Sequence, residues 1–202
     1  MTKVKLCGLT RICDIDYVNE LMPDFVGFVF SEKSKRYVSF DKAEKLRERL
    51  KNSIIPVGVF VNEPIENVKL LVERNIIGMV QLHGNEDREY IKRLKGEVNC
   101  RIIQAFAIEK KEDVIKAVSS EADYIMLDSG GGSGKTFNHT LIKDIKRDFF
   151  LAGGLDSENV YDAIIRFRPY AVDASSSLET DGVKDRYKMA AFLRAARNGK
   201  DE

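Results

Sequence analysis

Short apolar runs alternate with charged, helix-patterned segments along this whole chain, and that rhythm restricts the folds open to it. Eight such runs occur: KVKLC (3–7), FVGFVF (25–30), IPVGVFV (55–61), GMVQLH (78–83), RIIQAFA (101–107), DYIMLD (123–128), FFLAG (149–153) and YAVDAS (170–175). Each is brief and rich in Val, Ile and Phe, as strands buried on both faces are. The segments between them place apolar residues at helical spacing. Ile65, Val68, Leu71 and Val72 line one face of IENVKLLVE. Val160, Ala163, Ile164 and Phe167 do the same in SENVYDAIIRF, with Asp156 or Ser157 available as its cap. RYKMAAFLRAARNG reads as a closing helix. Strands alternating with helices imply parallel pairing through right-handed crossovers. An open doubly wound sheet and a closed barrel both accept the pattern, but eight units of roughly 25 residues favour the α/β class (β/α)8 TIM barrel. No Pro/Ser-rich linker interrupts the 202 residues, so residues 1–202 are expected to form a single barrel domain.

Composition narrows the function classes. Lys plus Arg number 33 against 32 Asp plus Glu, so no net field favours nucleic acid or an anionic membrane. No apolar stretch approaches a membrane span, and the start MTKVKLCGLT lacks the apolar core of a signal peptide. A cytoplasmic location is expected, with no nucleic-acid or membrane partner. Cys7, Cys13 and Cys100 form no C-x-x-C pair and no even framework, which argues against a disulfide scaffold. Those cysteines and the two histidines lack ligand spacing, so no metal site is expected.

In such a barrel, chemistry gathers where strands end and the following loops begin. The unusual residues fall there. The first strand ends in Cys7-Gly8, the fourth in His83-Gly84, the sixth in Asp128, the seventh in Gly153-Gly154, and the eighth in Asp173 followed by Ser175-Ser176-Ser177. Strand alternation puts Lys5 on the same face as Cys7, Gln81 with His83, and Tyr124 and Met126 with Asp128. Cys7, His83, Asp128 and Asp173 then form a polar mouth over an apolar plug. Lys5, one layer below Cys7, needs a carboxylate partner for its buried ammonium. Taken singly, each has a plainer reading: a small buried thiol, a turn-forming aspartate, a hydrogen-bonded histidine, loop punctuation. Their shared rim favours the functional one. Gly153, Gly154, Ser175 and Ser176 sit where barrels of this kind bind phosphate through backbone N–H groups, so a phosphorylated small molecule is the expected ligand.

The stretch SGGGSGKTF (129–137) resembles a nucleotide-binding P-loop, but Ser129 stands where G-x-x-x-x-G-K-[ST] requires its first glycine. A P-loop NTPase would also leave the rim of cysteine, histidine and paired glycines unexplained. KLCGLT, GFVFSEKSKRYVS, VGVFVNEP, VQLHG, LD followed by GGSGKTF, LAGGL and AVDASS follow one another in the order found in the phosphoribosylanthranilate isomerase family. The resemblance spans nearly the entire chain. It implies an Amadori rearrangement in tryptophan biosynthesis, from N-(5-phosphoribosyl)anthranilate to 1-(2-carboxyphenylamino)-1-deoxyribulose 5-phosphate. It implies Cys7 as general base, Asp128 as general acid, Arg36 on the anthranilate carboxylate and Asp173 at the substrate's polar centre. His83 is the further expected substrate contact. It implies no cofactor, and a monomer or homodimer is expected. A related ribotide isomerase would carry acids at both catalytic positions, whereas Cys7 occupies one here.

The thiolate that such a base requires leads to the expectation that the pocket lowers the Cys7 pKa, with Lys5 a candidate cause. SGGGSGKTF becomes a glycine-rich lid over the mouth, shorter than in the family, because only Ser129 and Gly130 separate Asp128 from Gly131. Phe137-Asn138-His139 replaces the family's F-D-W. Ser177 replaces a glycine of the phosphate loop, at a cost of about 1 kcal/mol if the backbone there is left-handed.

Overall fold

The computed structural model describes residues 1–128, 142 and 145–198, and the glycine-rich stretch 129–137, with its P-loop-like Gly134, Lys135 and Thr136, lies outside them. Eight parallel strands close on themselves in chain order: β1 (Lys3–Cys7), β2 (Phe25–Val29), β3 (Ile55–Phe60), β4 (Met79–Leu82), β5 (Arg101–Ala107), β6 (Tyr124–Asp128), β7 (Phe149–Ala152) and β8 (Ala171–Ala174). Each falls within a run read from the sequence. The pairing of β1 with β8, Lys3 opposite Ala171 through Leu6 opposite Ala174, turns the sheet into a barrel and excludes the open alternative.

Helices α1 (Ile12–Leu21), α2 (Phe40–Arg49), α3 (Ile65–Glu73), α4 (Arg88–Glu97), α5 (Lys111–Val118), α6 (Val160–Phe167) and α7 (Arg186–Asn198) accompany the strands. Their apolar stripes face the barrel: α3 buries Ile65, Val68, Leu71 and Val72. Before α6, the Asp156 carboxylate accepts from the backbone N–H groups of Glu158 and Asn159, which fastens the turn leading into the helix. After β8 the chain makes one 3₁₀ turn (Ser176–Leu178) and then a short hairpin, β9 (Glu179–Thr180) against β10 (Val183–Lys184). Strands of two residues leave no periodic signal, and the sequence reading has no counterpart to this hairpin.

Two large apolar bodies among the described residues hold the fold together. One lies between the strands and the helices. The other plugs the barrel interior with Phe25, Val57, Met79, Ile103, Met126 and Phe150. At its lower end Phe150 packs against Phe25, Tyr124 and Tyr170 with ring centroids 5.5, 5.7 and 5.6 Å away. Burying a side chain of this size stabilises by ~1.5–3 kcal/mol, so the plug is a major contributor to stability. Above it the mouth begins.

Candidate active site

A cavity of about 560 Å³ opens at the C-terminal end of the barrel. Cys7, Arg36, His83, Asp128 and Asp173 line it together with Gly153, Gly154, Ser175 and Ser176. Every site residue expected from the sequence therefore meets in one space, delivered by β1, β4, β6, β7, β8 and the loop after β2. Two further clefts lie at the opposite end, around Arg147 and Tyr170 and around Cys100 and Asp123, remote from these groups.

Cys7 ends β1 and is almost fully buried, against Val29 and Val59. Gly27 makes room for it. A methyl group there would lie 2.5 Å from the Cys7 sulfur, so the opposing position on β2 tolerates no side chain. One layer below, Lys5 is wholly buried, and its Nζ donates to Asp173 Oδ1 at 2.7 Å. The β1–β8 register sets Lys5 directly opposite Asp173, and so supplies the carboxylate that a buried ammonium requires.

The electrostatics at the sulfur correct the expectation of a lowered thiol pKa. Burial pushes the Cys7 thiol up, Lys5 pulls it down, Asp173 pushes it up again and Lys184 pulls it down; the sum stays above the ordinary value. The Lys5 cation is real, but the same pairing that permits its burial places a carboxylate beside the thiol. Cys7 therefore keeps its proton at neutral pH.

Asp128 ends β6 on the far side of the mouth, and its backbone carbonyl accepts from the Ile108 N–H at 2.8 Å. His83 stands on the wall at the end of β4, with its Nδ1 3.3 Å from Gln81 Nε2. Gln81 is buried beneath it, and its Oε1 has no hydrogen-bond partner among the described residues. Arg36 reaches the mouth from the loop after β2. Its stem crosses Gly8, whose φ of +81° suits glycine and whose missing Cβ clears the Arg36 side chain. Its guanidinium makes a side-on pair with Glu179, Nε to Oε1 at 2.6 Å and Nη2 to Oε2 at 2.8 Å.

After β7 the backbone turns on two glycines. Gly153 and Gly154 take φ values of +88° and +64°, the left-handed region in which consecutive N–H groups can converge. The Ser175 hydroxyl donates to the Cys7 carbonyl at 3.1 Å, tying the loop after β8 to the end of β1. Ser177 is not left-handed, so the strain allowed for it does not arise. Its hydroxyl instead donates to the Leu155 carbonyl at 2.5 Å, linking the loops that follow β7 and β8. Among the described residues no group of three or more His, Cys, Asp or Glu side chains is placed to hold a metal ion. No described helix is long and apolar enough to cross a membrane.

Sequence reasoning did not anticipate Glu179, Lys184 or the Ser177 link. Lys184 is buried, and its Nζ donates to the Ser175 carbonyl and to Glu179. A lysine two residues before the chain's last helix looks like any surface charge until the hairpin folds it inward.

Known proteins similar to this chain are many. The family model described as N-(5'phosphoribosyl)anthranilate (PRA) isomerase matches residues 4–195. The N-(5'-phosphoribosyl)anthranilate isomerase of Caldanaerobacter subterraneus subsp. tengcongensis is 45% identical, with 98% of each chain covered. That of Clostridium acetobutylicum is 44% identical over 99% of this chain and 100% of its own. The phosphoribosyl anthranilate isomerase structure from Thermotoga maritima superposes with a TM-score of 0.90 at 38% identity, covering 98% of this chain and 99% of that one. Another solved isomerase, in complex with reduced 1-(o-carboxyphenylamino)-1-deoxyribulose 5-phosphate, gives 0.87 at 36% identity, with 98% and 99% covered. Barrel, mouth and relatives agree: the chain belongs to the N-(5'-phosphoribosyl)anthranilate isomerase family.

Proposed function

We propose that this chain catalyses the family's rearrangement of N-(5-phosphoribosyl)anthranilate in tryptophan biosynthesis with Cys7 as general base and Asp128 as general acid. The observation that carries the assignment is the shared cavity: thiol, carboxylate, guanidinium and glycine–serine cradle all line one mouth. The phosphate end of the substrate lies on the backbone of Gly153, Gly154, Ser175 and Ser176. The anthranilate carboxylate lies on Arg36, and the ribose spans the mouth between β1 and β6, within reach of His83 and Asp173. The reduced product analogue bound by a structural relative carries the same phosphate and carboxylate ends.

Asp128 gives its proton to the ring oxygen as the bond from C1 to that oxygen breaks, leaving an open-chain Schiff base. The positive nitrogen acidifies the hydrogen on C2. Cys7 as thiolate removes that proton, the electron pair moves toward nitrogen, and the resulting enolamine takes a proton from water at C1 while its C2 hydroxyl gives one up to water, which leaves the ketone. Because burial keeps Cys7 protonated at neutral pH, its proton leaves to water as substrate binds and the ring opens. The Schiff-base cation then joins Lys5 beside the sulfur and offsets burial and Asp173. A reaction that depends on a free thiol suits the reducing cytoplasm, where we place this protein. The Thermotoga maritima enzyme is described as dimeric, and sedimentation would show whether this chain is monomer or homodimer.

Turnover is followed by loss of phosphoribosylanthranilate fluorescence, with the substrate generated in the cuvette. Cys7→Ala and Asp128→Asn each lose at least ~10² in kcat while remaining folded. A variant within a few-fold of the parent removes that residue from the assigned role.

A further inference from the structure

Arg36 sits on a loop, and its side chain is 29% exposed, so neither a helix nor a strand aims it at the mouth. Glu179 does. A guanidinium offers five N–H groups. The side-on pair with Glu179 uses Nε and one hydrogen of Nη2. What remains is the end-on edge, Nη1 with the second Nη2 hydrogen, and the described residues give Nη1 no partner. Two parallel N–H groups on one edge are what a second carboxylate fits.

Glu179 is held in its turn. It faces Lys184 across the β9–β10 hairpin, and Lys184 Nζ donates to its Oε1 at 2.5 Å. The same Nζ donates to the Ser175 carbonyl at 2.9 Å, and the Ser175 hydroxyl reaches the Cys7 carbonyl. Arg11, paired with the buried Asp14, donates to the Lys184 carbonyl and fixes the hairpin from behind. Two cations and one carboxylate leave one formal positive charge beside the cavity. An incoming carboxylate neutralises it.

We propose that Glu179, backed by Lys184, is a positioning residue for Arg36: it occupies one edge of the guanidinium so that the other faces the mouth, and so selects a substrate with a carboxylate at its aromatic end. The proposal rests on the reading of Arg36 as the carboxylate contact.

The test uses Glu179→Gln, Glu179→Asp, Arg36→Met and the double variant Arg36→Met/Glu179→Gln in the full chain, with KM, kcat and inhibition by inorganic phosphate measured for each. Glu179→Gln should raise KM about tenfold and change kcat by less than about threefold, since it loses a charge-assisted acceptor but no reacting group. Glu179→Asp should fall between it and the parent, and it carries the test if the glutamine variant does not fold. The double variant should be no worse than Arg36→Met, because Glu179 acts through Arg36. Phosphate inhibition should be unchanged, whereas a merely structural role would weaken it too. An unchanged KM in Glu179→Gln, or penalties that add in full, overturns the proposal while Arg36→Met still raises KM. An unchanged KM in Arg36→Met overturns the reading of Arg36 and the proposal with it.

Discussion

At the sulfur of Cys7 the balance of burial and charge has a measurable consequence. Burial dominates, Lys5 opposes it, Asp173 reinforces it and Lys184 opposes it. The alkylation rate of the ligand-free enzyme should therefore rise about tenfold per pH unit through neutrality, with an apparent pKa above the ordinary thiol value of 9.0. Lys5→Met removes the largest opposing charge and strands Asp173, so its profile should move to still higher pH. An apparent pKa below 9.0 in the parent would show that the empty site already stabilises the thiolate. The need for a carboxylate beside Lys5 was legible from strand alternation alone. Its consequence for Cys7 was not, because the sign of the shift depends on how deeply the thiol is buried and how near both partners lie.

Among the elements, the loops after β7 and β8 show how a local departure is absorbed. The loop after β7 supplies two left-handed glycines; the loop after β8 supplies the serines. The Ser177 hydroxyl bridges them through the Leu155 carbonyl. Ser177→Ala removes this link without altering the backbone, and should weaken inhibition by inorganic phosphate about threefold to tenfold while leaving kcat within about threefold. Unchanged inhibition would mean the two loops are held by their strands alone. Set against the family pattern, Ser177 replaces a glycine and would be strained if the backbone there were left-handed. In the fold it sits in a 3₁₀ turn with ordinary φ, because hairpin β9–β10 bends the chain back immediately afterwards.

For the molecule as a whole, closure of the barrel separates stability from chemistry. The aromatic plug around Phe150 lies at the N-terminal end, while the mouth with its buried charges lies at the other. Phe150→Ala should cost ~3–5 kcal/mol and lower the melting temperature by roughly 10 °C, yet leave kcat near the parent value at temperatures where the variant is folded. Calorimetry beside the fluorescence assay checks both. A kcat loss as large as that of Cys7→Ala would show that the plug shapes the mouth directly.

Eight strands, their parallel alternation with helices, and the collection of Cys7, Asp128, Gly153, Gly154, Asp173 and Ser175 at strand ends are all legible in the linear order of residues. Those features are written in local periodicity and in the position of polar residues relative to apolar runs, and neighbours along the chain suffice to read them. That β8 meets β1, that Lys5 finds Asp173, that Glu179 holds Arg36 and that Lys184 turns inward emerge in the folded chain alone. Each depends on register between segments far apart in the chain, where Coulomb and hydrogen-bond energies vary steeply with separation and burial.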